Sequence, residues 1–133
     1  MTKYVISNAI VIDDTAEALK FYADLLDLEP LATHNYEDVF QKGEKLTIIT
    51  LQTEGGDIIE LYDFGDSVPI YDNELQQYNH IAFGVTNFDE LFKKLEQNEV
   101  VFDKYPELVN GVKTLFCRDF SGNLIKIVEI KNE

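Results

Sequence analysis

Cysteine is almost absent: Cys117 stands alone in 133 residues, which rules out an intrachain disulfide and suits a reducing, cytoplasmic setting. Basic residues are scarce as well. Eleven Lys and Arg face 25 Asp and Glu, a net charge of −14, and a surface of that sign repels nucleic-acid phosphates and anionic membranes. Neither is expected as a partner. The plain reading of such acidity is solubility, and the sharper one is attraction of a cationic ligand. No apolar run approaches the ~20 residues that span a bilayer. The apolar stretch 4–12 runs directly into Asp13-Asp14 without a small-residue cleavage site, so it reads as a strand and not as a signal peptide. Low-complexity tracts are lacking too.

What the chain does contain is a repeat. Ser7-Asn8-Ala9-Ile10-Val11-Ile12-Asp13-Asp14 aligns with His80-Ile81-Ala82-Phe83-Gly84-Val85-Thr86-Asn87 at an offset of 80 − 7 = 73, and Gly56-Asp57-Ile58-Ile59-Glu60-Leu61 aligns with Gly122-Asn123-Leu124-Ile125-Lys126-Ile127 at 126 − 60 = 66. The first copy therefore holds seven extra residues, expected within Pro30 to Lys45. A period this long describes two similar modules in one compact domain, not a solenoid. Residues 1–64 form the first module, 65–78 an acidic linker and 79–133 the second module.

Each copy reads as βαβββ. The run 4–12 is rich in β-branched residues and its twin begins at His80. Asp14 with Glu17, and Asn87 with Glu90, give capping-box-like helix starts. The expected apolar stripes are Leu19, Tyr22, Ala23 and Leu26 in one helix, and Phe88, Leu91, Phe92 and Leu95 in the other. Pro30 marks the end of the first helix, and Gly43 a turn. Extended segments at Leu31–His34 and Val100–Tyr105 precede strands at Leu46–Gln52, Ile58–Phe64, Lys113–Arg118 and Leu124–Ile130. Tight turns at Thr53–Gly56 and Phe120–Gly122 join the last two strands of each set. The fold class is α+β, two βαβββ modules forming a half-barrel-like cavity.

Strand alternation assigns faces. Ile59, Leu61, Ile125 and Ile127 cover the helices, so Glu60 and Lys126 point the other way with Ser7 and His80. Related modules side by side would bring these four toward one cavity. Tyr62, Phe116, Phe40 and Tyr105 are candidates to line a pocket for a flat ligand, although aromatics in strands are more often core. His34 is a rim candidate. Cys117, within a short alternating strand, reads as inert packing.

The segments Val11-Ile-Asp-Asp-Thr15, Leu19-Lys-Phe-Tyr22, Leu25-Leu-Asp-Leu28, Ile59-Glu-Leu61, Tyr78-Asn-His-Ile-Ala82 and Arg118-Asp-Phe-Ser-Gly122 with Ile125-Lys-Ile127, in that order, resemble the glyoxalase / bleomycin resistance / extradiol dioxygenase superfamily, the vicinal oxygen chelate proteins. The resemblance covers nearly the whole chain. It implies that metal-dependent members hold a divalent ion with four side chains at the positions of Ser7, Glu60, His80 and Lys126. Glu60 and His80 agree with that pattern and would be the ligands of any metal present. Ser7 replaces the usual His and Lys126 the usual Glu, and a protonated ammonium has no lone pair to donate.

Three readings stay open. In the first, the protein is a metal-free small-molecule binder like the bleomycin-resistance-type members, with no cofactor, Ser7, Tyr62 and Phe116 contacting the ligand, and a cationic antibiotic as one candidate. In the second, it is a lyase or isomerase of glyoxalase type: Glu60 or His80 abstracts a proton next to a carbonyl and Lys126 steadies the enolate. In the third, a true metalloenzyme recruits Asn8 or a residue from a partner subunit. Exposed sheet edges lead to the expectation of a homodimer.

Overall fold

In the computed structural model, residues 9–38, 45–65 and 80–131 are described. The chain divides into two compact units, Met1–Ile70 and Tyr71–Glu133. Each carries one four-stranded sheet. The first contains β1 (Ala9–Ile12), β2 (Glu29–Glu37), β3 (Lys45–Gln52) and β4 (Ile58–Asp63), ordered β1-β4-β3-β2. The second contains β5 (His80–Val85), β6 (Phe102–Val109), β7 (Val112–Arg118) and β8 (Leu124–Glu129), ordered β5-β8-β7-β6. In both, the first and last strands run parallel and the other pairs antiparallel. The crossover that a parallel pair requires is supplied by the helix after the first strand.

The two sheets share one register. Ala9 pairs with Glu60 and Ala82 with Lys126, while Thr50 pairs with Glu60 and Phe116 with Lys126. These pairs are related by the offsets of 73 and 66. On the outer strand Ala32 pairs with Thr50 and Lys104 with Phe116. The offset there is 104 − 32 = 72, so six of the seven extra residues lie between Ala32 and Thr50.

In the first unit α1 (Thr15–Leu19) starts at Asp14, whose carboxylate accepts from the Glu17 N–H at 3.0 Å. The chain continues as a π-helical stretch, Lys20–Leu25, where Leu26 N–H donates to the Phe21 carbonyl five residues back. The side chains it buries are Ala18, Phe21, Tyr22 and Leu25, so the stripe expected on Leu19, Tyr22, Ala23 and Leu26 is turned by one residue. The reason is Phe21, the bulkiest apolar side chain in the segment: a stripe centred on it removes more apolar area from water, worth about 1.5–3 kcal/mol for each fully buried large side chain. Its ring meets Tyr22 edge-on at 4.9 Å. Pro30 does not end this helix; it lies inside β2. A proline is tolerated there because β2 is an outer strand and needs hydrogen bonds on one side only.

In the second unit α2 (Phe88–Gln97) buries Phe88, Leu91 and Leu95 as expected, with Phe92 half-buried. Asn87 caps it through backbone alone, its carbonyl accepting from Leu91 N–H, with no side-chain cap bond. The side-chain cap of the predicted box is therefore made in the first copy and not in the second. The core of this unit is closed by Phe83, Leu115, Cys117, Ile125 and Ile127.

The tight turns repeat as well. Thr53 N–H donates to Asp57 O and Gly56 N–H to Thr53 O; 66 residues later Asp119 N–H donates to Asn123 O and Gly122 N–H to Asp119 O. Gly56 and Gly122 sit at φ 96° and 89°, where a Cβ would be strained. The β6–β7 hairpin turns on Asn110-Gly111, both at positive φ, as a two-residue type I′ turn requires. That Asn-Gly pair is a sequence signal that extends β6 to Val109, beyond the expected end at Tyr105. The expected turn at Gly43 and all but the first residue of the expected linker lie outside the described residues.

Candidate functional site

In each sheet the middle of the helix side is apolar: Ile10, Ile12, Ile49, Leu51, Ile59 and Leu61 in the first, and Leu115, Cys117, Ile125 and Ile127 in the second, all buried, while Asp63 and Lys113 at the strand ends bond to the helices through Thr15 and Asp89. The alternate residues form the open face, and the pairings arrange them in rows across the strands. The central row of the first sheet reads Ala9, Glu60, Thr50, Ala32. Its counterpart in the second reads Ala82, Lys126, Phe116, Lys104. One sheet presents a half-buried carboxylate flanked by small and hydroxylic residues; the other presents two ammoniums flanking an aromatic ring.

Beside Glu60 the next row holds Val11, Tyr62, Ile48 and His34. Burial raises the Tyr62 pKa above its ordinary 10.0, and the negative charge of Glu60 and then Tyr36 push in the same direction. Tyr62 thus feels the charge of Glu60, which lies on the same face. His34 is exposed on the outer strand, its ring 6.4 Å from that of Tyr36. Thr15, at the start of α1, donates to Asp63 at 2.6 Å and ties the helix to the end of β4.

In the second sheet Lys126 Nζ stands 5.7 Å, and Lys104 Nζ 5.9 Å, from the centroid of the Phe116 ring, within the range of cation–π attraction. The neighbouring cations are committed elsewhere. Arg118 makes a two-pronged pair with Asp103 at 3.0 and 2.7 Å and donates to the Gly122 carbonyl at 3.2 Å. Lys113 donates to both oxygens of Asp89 at 3.0 Å and lies 3.9 Å from Glu129. Tyr105 does not join the Phe116 row. The irregular register of β6 around Lys104 and Glu107 turns it toward Phe102, with which it stacks at 5.2 Å, and toward Phe92 of α2 at 6.4 Å. Cys117 is fully buried, and burial pushes its thiol pKa up to about 12, assisted by Asp119 and Asp103. It is packing, without thiolate chemistry at neutral pH.

Among the residues singled out from sequence, Glu60, Tyr62, Lys126 and Phe116 occupy open faces. Ser7, Asn8 and Phe40 lie outside the described residues, as does the side chain of His80, whose backbone pairs with Leu124. Lys104 was missed: its place in the Phe116 row follows from the register shifts of β6, which strand alternation alone does not predict.

Paired βαβββ units with parallel first and last strands define a glyoxalase-type fold. The chain belongs to the Glyoxalase/Bleomycin resistance protein/Dioxygenase superfamily, whose family model matches residues 5–127. Solved structures with the same fold include a glyoxalase family protein from Bacillus cereus (21% identity, 98% of this chain and 97% of that one, TM-score 0.78). A trypanothione-dependent glyoxalase I from Leishmania major is also similar (24%, 96% and 87%, TM-score 0.68). So is the fosfomycin resistance protein FosX from Listeria monocytogenes, solved with Mn(II) (16%, 96% and 93%, TM-score 0.63). No curated protein sequence gives a significant match.

The family implies a divalent ion, and this chain's residues can be tested against it. Glu60 is a competent oxygen donor. Lys126 is not a donor at all while protonated, and a second ammonium, that of Lys104, lies against the same ring. Among the described residues no three His, Cys, Asp or Glu side chains gather as a metal cage. The second module's row does not fit the ion.

Proposed function

We propose that the protein is a metal-free small-molecule binder of this superfamily, acting as a homodimer. The observation that carries the reading is Lys126: its ammonium occupies the strand position from which metal-dependent relatives contribute a carboxylate, and it is drawn to Phe116 at 5.7 Å. A fixed positive charge can balance a carboxylate or a ligand's negative charge, but it cannot polarise a carbonyl as a Lewis acid does. The half-buried open faces offer what a small-molecule site needs, apolar and aromatic surface with a few placed polar groups. The net charge of −14 draws cationic molecules at long range, and Glu60 is the first module's point of attachment for one.

Dimerisation is supported by β6. It is the outer strand of its sheet, and Tyr105, Leu108 and Val109 along it are 64%, 70% and 44% exposed. An outer strand with this much apolar surface favours pairing with a second copy.

The competing reading is a glyoxalase-type lyase or isomerase with Glu60 as base and Lys126 steadying an enolate. NMR in D2O of a panel of carbonyl compounds separates the two. A binder shifts ligand resonances without exchanging the proton next to the carbonyl, and Glu60→Gln weakens binding at most. Exchange catalysed by the wild type and abolished in Glu60→Gln would establish the enzyme.

A further inference from the structure

We propose that the row Lys104, Phe116, Lys126 is an oxyanion-binding subsite, which takes the carboxylate or phosphate group of a small ligand between its two ammoniums. The inference rests on the small-molecule-binding reading above. Its basis is an imbalance of charge. With 11 basic residues against 25 acidic ones, acidic groups outnumber the cations that could pair with them. Lys113 and Arg118, on the same strand as Phe116, meet carboxylates at 2.7–3.0 Å. Lys104 and Lys126 do not: among the described residues their contact is the one ring they share.

The register makes this a built arrangement. Lys104, Phe116 and Lys126 are direct cross-strand partners on three adjacent strands, so all three side chains leave one face. Like charges flanking one residue repel each other, and the ring's negative face offsets only part of that cost. An oxyanion placed between them removes the repulsion and receives charge-assisted hydrogen bonds from both. The Phe116 ring, half-buried between them, supplies a flat apolar floor for the carbon skeleton that carries the anion. In the first module the equivalent row is Ala9, Glu60, Thr50, Ala32, which has no cation. The subsite therefore belongs to the second module alone.

The test uses the full-length protein with benzoate, inorganic phosphate and neutral benzamide as probes, followed by NMR titration. Benzoate or phosphate is expected to bind, benzoate more tightly because of the ring, and benzamide at least tenfold more weakly than benzoate. Lys104→Met and Lys126→Met should each weaken the anion about tenfold, the effect of losing one charge-assisted hydrogen bond. Lys126→Arg should retain binding, and Lys113→Met, which alters a cation already paired with Asp89, should leave it unchanged. Retained affinity in Lys126→Arg separates loss of charge from loss of fold. Binding of neither anion, or equal anion affinity in wild type and both Met variants, overturns the subsite. If neutral or cationic compounds still bind in that case, the binding-protein reading survives; if nothing binds, both fall.

Discussion

Asp119 closes the β7–β8 turn almost by itself, and removing it should be among the most damaging single changes in the second module. Its Oδ1 accepts from Ser121 N–H at 2.9 Å and from Asn123 N–H at 2.8 Å, and its Oδ2 accepts from the Asn123 side-chain amide at 2.9 Å. Asp119 and Asn123 are 5% and 7% exposed, so in Asp119→Ala water cannot readily replace the lost acceptor for the two Asn123 donors. An unsatisfied buried donor costs about 1–3 kcal/mol, which for two, after some relaxation of the turn, gives about 2–4 kcal/mol. Asp119→Asn keeps an oxygen for the two backbone donors and sets an amide against the Asn123 amide, so the loss should be about 1–2 kcal/mol. Asp119→Thr copies the first module, where Thr53 Oγ1 accepts from Asp57 N–H at 3.0 Å, and should fall between. Urea unfolding reads these losses as shifts in midpoint at constant slope. An Ala variant within about 0.5 kcal/mol of wild type, the range of an ordinary surface change, would refute the assignment, and so would an Asn variant as damaged as Ala.

The pH dependence of Tyr62 has a definite sign. Its pKa is raised in the folded protein, so below pH 10.0 it contributes nothing, and as pH rises above that value the unfolded chain loses this proton first and stability falls. Glu60→Gln removes one of the causes, and an absorbance titration referenced to Tyr62→Phe should show the phenol ionising at lower pH. Cys117, with its thiol at about 12, should resist iodoacetamide at pH 8 in the native protein and react fully in urea, as mass spectrometry would report; native labelling at the unfolded rate would contradict its burial. Leu108→Lys should shift light-scattering mass from dimer toward monomer if β6 forms the interface, and a wild-type monomer at micromolar concentration would remove the dimer proposal.

Much of this architecture was legible because the two copies check each other. The offsets of 73 and 66 in the sequence are those that relate the Ala9–Glu60 pair to Ala82–Lys126 and Thr53–Gly56 to Asp119–Gly122, and alternation alone assigned Ile59 and Leu61 to the helix side and Glu60 to the other. What was not legible was the phase of one helix and the local departures of a strand and a cap. The first helix buries Ala18, Phe21, Tyr22 and Leu25, an ordinary helical stripe that a wheel begun at Leu19 sets one residue out of phase. The irregularities of β6 around Pro106 carry Tyr105 to the helix side and leave Lys104 beside Phe116, and period-two counting cannot anticipate a bulge. Asn87 occupies the cap position of α2 without using its side chain, because the capping pattern records opportunity and not geometry.

Metal content decides whether Lys126 stands in the place of an ion. Protein produced with added Zn, Ni, Mn and Fe, desalted and measured by elemental analysis, should contain far less than one equivalent of any of them, and adding Zn²⁺ afterwards should not raise its unfolding temperature beyond what free-ion effects produce. One tightly held equivalent, lost on Glu60→Gln or on substitution of His80, would mean that Lys126 has not displaced the ion, and the metal-free reading would be wrong.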